Sequence, residues 1–417
     1  MKTDTICAVA TPPGAGGLGI VRVSGPRVPD ICEGILGRLP EPRVALLSHF
    51  RSGQGGTIDT GLALYFPAPN SFTGEHVLEL HGHGGIHVLN RVMARVLELG
   101  SRGARPGEFS ERAFLNDKID LVQAEAIADL IDSGSDAAAR AAQRSLQGDF
   151  SREVHRLQES LTALRVFVEA AIDFPDEEID FLAESDVMQR IEDVEEQLET
   201  LLRDARQGRL LRDGIVMAII GRPNAGKSSL LNALSGQESA IVTEIPGTTR
   251  DVLCESIDLD GIPVHVADTA GIRETDDVVE AEGVRRAREV LESSDIVLLV
   301  EDASVPCEQH QTLEQELPKG VRRIFVANKA DLVDPEAPGR DQDRVWISAK
   351  TGQGMDSLRK RICAAVGAAD RSEGSFSARQ RHVDALKRAG RHLARGRSEM
   401  QTSLSGELLA EELRLAQ

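Results

Sequence analysis

The chain has 417 residues, too many for one hydrophobic core and enough for two or three domains at the usual ~150 residues each. With 41% apolar residues and only one Trp and one Tyr, it reads as globular, with cores of Leu, Ile, Val and Ala. A net charge of −19 opposes a nonspecific grip on nucleic acid, because like charges repel a phosphate backbone.

No stretch nears the ~20 uncharged apolar residues of a membrane span, and MKTDTICAVATPPG carries no signal-peptide pattern. A cytoplasmic protein with no membrane partner is expected. The cysteines (Cys7, Cys32, Cys254, Cys307, Cys363) form no CxxC pair, so they read as buried or inert thiols.

In residues 1–118, GIVRVSG, TIDTGLALYFPAP and GEHVLELHGHGG alternate as strands. The helix IHVLNRVMARVLELG follows, closed by Gly100. This is an α+β domain. GAGGLG lacks the strand and helix of a dinucleotide fingerprint and reads as a turn. HGHGGIH also reads as a tight turn, and His81, His83 and His87 have no Cys or acid to complete a metal set.

Residues 119–212 turn helical, with LVQAEAIADLID, AARAAQRSLQGDFSREVHRLQESLTALRVFVEAAID and VMQRIEDVEEQLETLLRDAR spacing apolar residues by three and four. Pro175 interrupts them, and its neighbouring acids read as a capped, solvated turn. Residues 213–368 alternate strands and helices, as a parallel sheet with crossovers does. Residues 369–417 return to helix, so the simplest architecture inserts the α/β module into a helical domain. Arg371 to Arg397 holds eight Arg or Lys against two acids. It reads as a solvated helix face or as a contact for RNA or an acidic partner.

The α/β module carries the chemistry. IVMAIIG is a buried strand, and GRPNAGKSSLLNALSG opens a helix directly after it, the context of a phosphate-binding loop. The amides of Asn224, Ala225, Gly226, Lys227, Ser228 and Ser229 should cradle phosphates. Lys227 would reach the β and γ phosphates and the Ser228 hydroxyl would bind Mg2+. PVHVAD runs into DTAG (Asp268, Thr269, Ala270, Gly271), where Asp268 would hold Mg2+ through water and the Gly271 amide would sense the γ-phosphate. RRIFVAN runs into NKAD (Asn328, Lys329, Ala330, Asp331), whose carboxylate suits the paired hydrogens of a guanine edge. VWISAK ends in Ser348, Ala349 and Lys350, whose backbone would meet the guanine oxygen. Trp346 beside it reads as core. The motifs in this order select GTP over ATP.

Two departures from the Ras pattern bear on mechanism. Ras-type enzymes place a water-orienting glutamine after the DxxG glycine; here that residue is Ile272, which cannot hydrogen-bond. Glu274, Asp276, Asp277, Glu280 and Glu282 stand nearby, and the residues alone do not choose among them. No arginine finger is marked either. Thr249 in IVTEIPGTTRD is the natural second Mg2+ ligand, and a loop with carbonyls near Asn224 could hold a monovalent cation between the phosphates.

These strings, with ATPPGAGGLGIVRVSG, NSFTGEHVLELHGHGG and RPGEFSERAFLNDKIDLVQAEAIADLID, resemble the MnmE (TrmE) family of tRNA uridine-modifying GTPases over essentially the whole chain. The resemblance implies a K+-dependent GTPase whose modules the cation draws together, hydrolysis being coupled to that dimerisation, with K+ on Asn224 and on Thr243, Ile245 and Thr248 of the nucleotide-facing loop Thr243, Glu244, Ile245, Pro246, Gly247, Thr248, Thr249. It implies Glu280 as the catalytic carboxylate. It also implies an N-terminal folate-binding-like domain that forms a homodimer and holds 5-formyltetrahydrofolate, or a related tetrahydrofolate, at Arg22, Glu79 and Lys118. Without the family, Arg22 and Glu79 fit an ordinary cross-strand charge pair. The implied reaction installs an aminomethyl or carboxymethylaminomethyl group at C5 of a tRNA wobble uridine, with the FAD-containing MnmG (GidA) in a heterotetramer or larger assembly. Family members end in a Cys-x-Gly-Lys tail, whereas this sequence stops at LAEELRLAQ, so a truncated chain is expected. The rivals are an Era-type ribosome-assembly GTPase, for which no KH-like domain is evident, and a noncatalytic GTP-controlled scaffold.

Overall fold

Alternating strands and amphipathic helices must each bury one face, and the computed structural model shows how they do so. It describes residues 4–173, 185–236, 254–267, 291, 294–305, 321–334, 343–367, 376–403 and 405–417. The chain divides into two compact units, Met1–Glu125 and Ala126–Gln417.

The first unit is α+β. Strands β1 (Ile6–Val9), β2 (Gly16–Ser24), β3 (Leu46–Arg51), β4 (Thr57–Phe66), β5 (Val77–Gly84) and β6 (Arg102–Gly103) form a sheet in the order β3-β4-β5-β2-β1-β6. Every pairing is antiparallel except β1 with β6. The period of two puts Val21, Val23, Ala63, Tyr65, Leu78 and Leu80 on one buried face. Two helices cover it: α1 (Val28–Leu36) through Ile31, Cys32 and Ile35, and α2 (Ile86–Glu98) through Leu89, Val92 and Val96. The three- and four-residue spacing of these apolar positions is what makes each helix one-sided. Helix α3 (Glu108–Leu115) closes the unit.

Two turn expectations are corrected here. HGHGG is not a tight turn: β5 runs through His81 to Gly84, and α2 starts only after Gly85. Its glycines serve strand contact, since a Cβ on Gly84 would lie 2.5 Å from the Gly16 carbonyl oxygen. GAGGLG is likewise mostly strand, because Gly16, Gly17 and Gly19 open β2 across a register shift between Gly16 and Gly19.

The second unit is a helical layer around an α/β module. Helices α4 (Leu121–Ile131), α5 (Asp136–Leu146), α6 (Asp149–Asp173) and α7 (Ser185–Asp213) precede the module. The division between the two units falls within α4. Residues 174–184, with Pro175, lie outside the described residues.

The module's strands are β7 (Ile215–Gly221), β8 (Cys254–Leu259), β9 (Ile262–Ala267), β10 (Ile296–Asp302), β11 (Arg322–Asn328) and β12 (Arg344–Trp346), ordered β12-β11-β10-β7-β9-β8. All neighbours are parallel except β8 with β9. Helices α8 (Lys227–Ser235) and α9 (Met355–Ala365) pack Leu230, Leu234, Leu358 and Ile362 onto Met217, Ile219, Leu298 and Val300. Ala218, Val297 and Leu299 bury the opposite face. A strand covered on both sides needs an unbroken apolar run, which is why IVMAIIG shows no alternation.

The chain then returns as α10 (Gln380–Ser403), packed on α7, and α11 (Gly406–Ala416), packed on α6. The basic stretch is divided by this packing. Arg397 donates to Glu192 and Glu195 of α7 at 2.8 and 2.6 Å, and His392 and Arg395 meet Glu412 of α11. Lys387, Arg388 and Arg391 face solvent. Cys7, Cys32 and Cys363 are buried and in no disulfide, and burial pushes the Cys32 thiol up to about 12. Among the described residues no helix is long and apolar enough to cross a membrane.

Candidate nucleotide site and a polar cluster in the first unit

In an open parallel sheet, ligands sit beyond the carboxyl ends of the strands where the strand order reverses. Here that point is β7, flanked by β10 on one side and β9 on the other. Its carboxyl end is Gly221, pressed so close to β10 that a Cβ would meet the Val300 carbonyl oxygen at 2.2 Å.

The following loop turns sharply. Asn224 stands at φ 67° and Gly226 at φ 89°, both left-handed. The Ala225 amide bonds the Arg222 carbonyl at 3.2 Å, and α8 starts with the Leu230 amide on the Gly226 carbonyl at 2.9 Å. The amides ahead of that first bond have no helical acceptor and form a partly positive cradle. Lys227 folds its ammonium across the loop onto the carbonyls of Gly221 and Arg222, at 2.7 and 3.0 Å. The Ser228 and Ser229 residues are exposed beside it. A cradle of amides, an ammonium and a hydroxyl fits phosphate oxygens and a hard cation.

Asn328 joins this loop to the rest of the site. It is only 2% exposed, donates Nδ2 to the Ala225 carbonyl at 3.0 Å, and accepts on Oδ1 from the Lys329 and Ala349 amides at 2.8 and 3.0 Å. One side chain therefore connects the phosphate loop, NKAD and SAK. Lys329 takes φ 63° and places its ammonium 2.6 Å from Asp302 at the end of β10. Burial would raise the Asp302 carboxyl, but hydrogen bonds from Lys329 and Ser304 hold it below its ordinary value. Ala330 is buried and Asp331 exposed on the short 3-10 turn Ala330–Leu332. Ser348 is fully buried and takes the Thr351 amide on its hydroxyl, while Lys350 is exposed.

Asp302 was not expected from the sequence, although an acid ending the run IVLLVED, in register with Asn328, is a readable signal. Trp346 is half-buried rather than core, because β12 is the edge strand of its sheet. Thr243 to Thr249, Asp268, Thr269, Ala270, Gly271, Ile272 and Glu280, with the other four acids beside it, lie outside the described residues.

In the first unit, Arg22 and Glu79 stand opposite each other on β2 and β5, 2.7 Å apart, and His81 lies 3.1 Å from the same carboxylate. The Arg22 guanidinium lies 5.9 and 5.8 Å from the ring centres of Phe72 and Phe109. Lys118 is exposed and borders Gly74, where a Cβ would lie 3.2 Å from its Cε. Both Arg22 and Lys118 thus border the segment around Thr73. His83 bonds Asp59 at 2.8 Å.

Beneath that segment lies a polar network that sequence reasoning missed. Thr73 is buried, 2.7 Å from the Ser24 hydroxyl, which donates to Glu75 at 2.7 Å. Arg112 links Glu75, Asp4 and Glu108. Arg102 donates to both oxygens of Glu108, and this holds the Glu108 carboxyl at about 2.

Two family models match the chain: the MnmE helical domain over residues 121–417 and the GTP-binding protein TrmE N-terminus over residues 5–118. The chain belongs to the MnmE (TrmE) family. The helical-domain match runs straight through the α/β module, as an inserted module requires. A tRNA modification GTPase MnmE of Methylococcus capsulatus is 54% identical over 417 residues, covering 99% of this chain and 93% of its own. The MnmE of Stutzerimonas stutzeri is 55% identical over 423 residues, with the same coverage. A crystal structure of Aquifex aeolicus Era aligns with 43% of this chain and 66% of its own at 26% identity, with a TM-score of 0.30.

Proposed function

We propose that this chain is a GTP hydrolase that acts in tRNA modification, converting a wobble uridine to its C5 aminomethyl or carboxymethylaminomethyl form. The observation that carries the reading is family membership along both units, joined to a phosphate loop, NKAD and SAK held together by Asn328.

In this reading the amides of Asn224 to Ser229 and the Lys227 ammonium hold the phosphates, and Asp331 accepts the two N–H groups of a guanine edge. Lys329 and Asn328 orient that edge without touching the reacting phosphate. Ser228 and Thr249 would hold Mg2+, with Asp268 behind a water. Asn224, Thr243, Ile245 and Thr248 would hold K+. These ions would supply positive charge against the charge that develops on the phosphoryl oxygens. Glu280 orients the attacking water, the task that Ile272 cannot perform. The first unit forms a homodimer, and Arg22, Glu79 and Lys118 hold a tetrahydrofolate that carries the one-carbon unit. The FAD-containing MnmG (GidA) is the partner.

The test is nucleoside analysis of tRNA from a strain lacking the gene. Wobble-uridine modification should disappear, return with the intact chain, and fail to return with Lys227→Ala. Normal modification in the deleted strain would overturn the reading.

A further inference from the structure

We propose that Asp129 is a positioning residue of this enzyme, tying together the helical residues that precede the nucleotide module in the chain and the described residues that follow it. The proposal rests on the GTPase reading above.

The Asp129 carboxylate, on α4, is only 7% exposed. Arg212 donates Nε to its Oδ1 at 2.7 Å, Arg379 donates Nη2 to the same oxygen at 3.3 Å, and the Ser377 hydroxyl donates to Oδ2 at 2.6 Å. Arg212 sits in the last turn of α7, just before the strand whose far end carries the phosphate loop. Ser377 and Arg379 sit on the return segment, just before α10. The residues just before the module and those that lead into α10 after it therefore close on one carboxylate.

The return segment is fixed further. The Ser377 amide bonds the Ala141 carbonyl at 3.0 Å, and its carbonyl accepts the Ser145 hydroxyl at 2.9 Å. It also presses on α7 so closely that a Cβ at Gly208 would meet the Phe376 carbonyl oxygen at 1.8 Å.

A second attachment lies nearby. The Ser135 hydroxyl caps α5 by accepting the Ala138 amide at 3.1 Å and donates to the Gly261 carbonyl at 2.9 Å. Gly261, at φ 87°, is in the turn from β8 to β9, and β9 runs towards Asp268. Hinges need crossings whose backbone is free to rotate. Here the described residues that flank the module, Arg212 on one side and Ser377 and Arg379 on the other, are held by directional, charge-assisted bonds. A tilt of the module on nucleotide binding is then delivered to α4 through Arg212 and to α5 through the Ser135–Gly261 bond.

The experiment compares the full chain with Asp129→Asn and Asp129→Ala, assembled with the FAD partner. GTP hydrolysis in potassium, modification of a tRNA substrate, and deuterium uptake of residues 121–131, the helix that carries Asp129, with and without GDP and aluminium fluoride are measured. Hydrolysis should stay within about twofold, modification should fall at least ~tenfold, and the nucleotide-dependent change in uptake should be lost. Arg212→Gln should behave alike, and the double variant should be no worse than either single one. Asn keeps the shape and decides the matter should the Ala variant fail to fold. Unchanged modification and uptake, a joint fall of hydrolysis and modification, or wild-type uptake indifferent to nucleotide would each overturn the proposal. A wild-type chain without hydrolysis or modification would instead overturn the GTPase reading.

Discussion

At Gly226 a side chain has no room. The residue is at φ 89°, and a Cβ there would lie 2.3 Å from the Asn328 amide nitrogen that holds Ala225. Gly226→Ala must break that bond or flatten the loop, so affinity for a fluorescent GTP analogue should fall at least ~tenfold, about 1.4 kcal/mol. Unchanged affinity in a titration would sink this account. The neighbouring Asn224 shows both the reach and the edge of sequence reading. The family resemblance makes it a cation ligand, while the structure adds that the position demands a left-handed backbone, which Asn tolerates better than most residues. A motif string conveys side-chain chemistry and omits the φ that also selects the residue. Arg22 and Glu79 carry the same lesson, since the geometry is that of a cross-strand ion pair and a role in holding folate must be compatible with it.

At the scale of elements, the strand–loop–helix units of the module were legible because long buried runs and helix spacings leave few alternatives. The two glycine strings were not, because close strand approach and tight turns ask for the same residue, and only the partner strand distinguishes them. The network joining α3 to the sheet was equally invisible, since its members come from positions as distant as Asp4 and Arg112.

That network makes a prediction at this scale. The Glu108 carboxyl is lowered from 4.5 to about 2, so its contribution is fully present above about pH 4.5 and is lost as pH falls through 2. It amounts to at most roughly 3 kcal/mol at neutral pH. Glu108→Gln should lower stability to denaturant at pH 7 and flatten the acid side of the profile. An acid profile identical to that of the parent chain would refute the assignment.

For the whole molecule, the insertion was legible from helical periodicity on both sides of the module, and the family match spans it. The loops that carry Thr249, Asp268 and Glu280 lie outside the described residues, and solution chemistry tests their proposed roles. With Ile272 at the usual glutamine position and no marked arginine finger, GTP turnover should be at least ~tenfold faster in potassium than in sodium. Glu280→Ala should abolish most of that turnover in a steady-state assay. Equal rates in the two salts would remove the cation from the proposal.

The interrupted helical layer also sets an order of events on the ribosome. Helices α6 and α7 bury Leu161, Leu164, Ile191 and Val194, and the helices that pack on them, α11 and α10, are encoded beyond the nucleotide module. At about 5–20 residues per second, the emerging chain keeps those faces uncovered for some tens of seconds while the module is synthesised. The nucleotide module, contiguous in sequence, is free to fold during that interval, and the helical layer can close only around it. Chaperone demand during translation, rather than final stability, is where this topology exacts its cost.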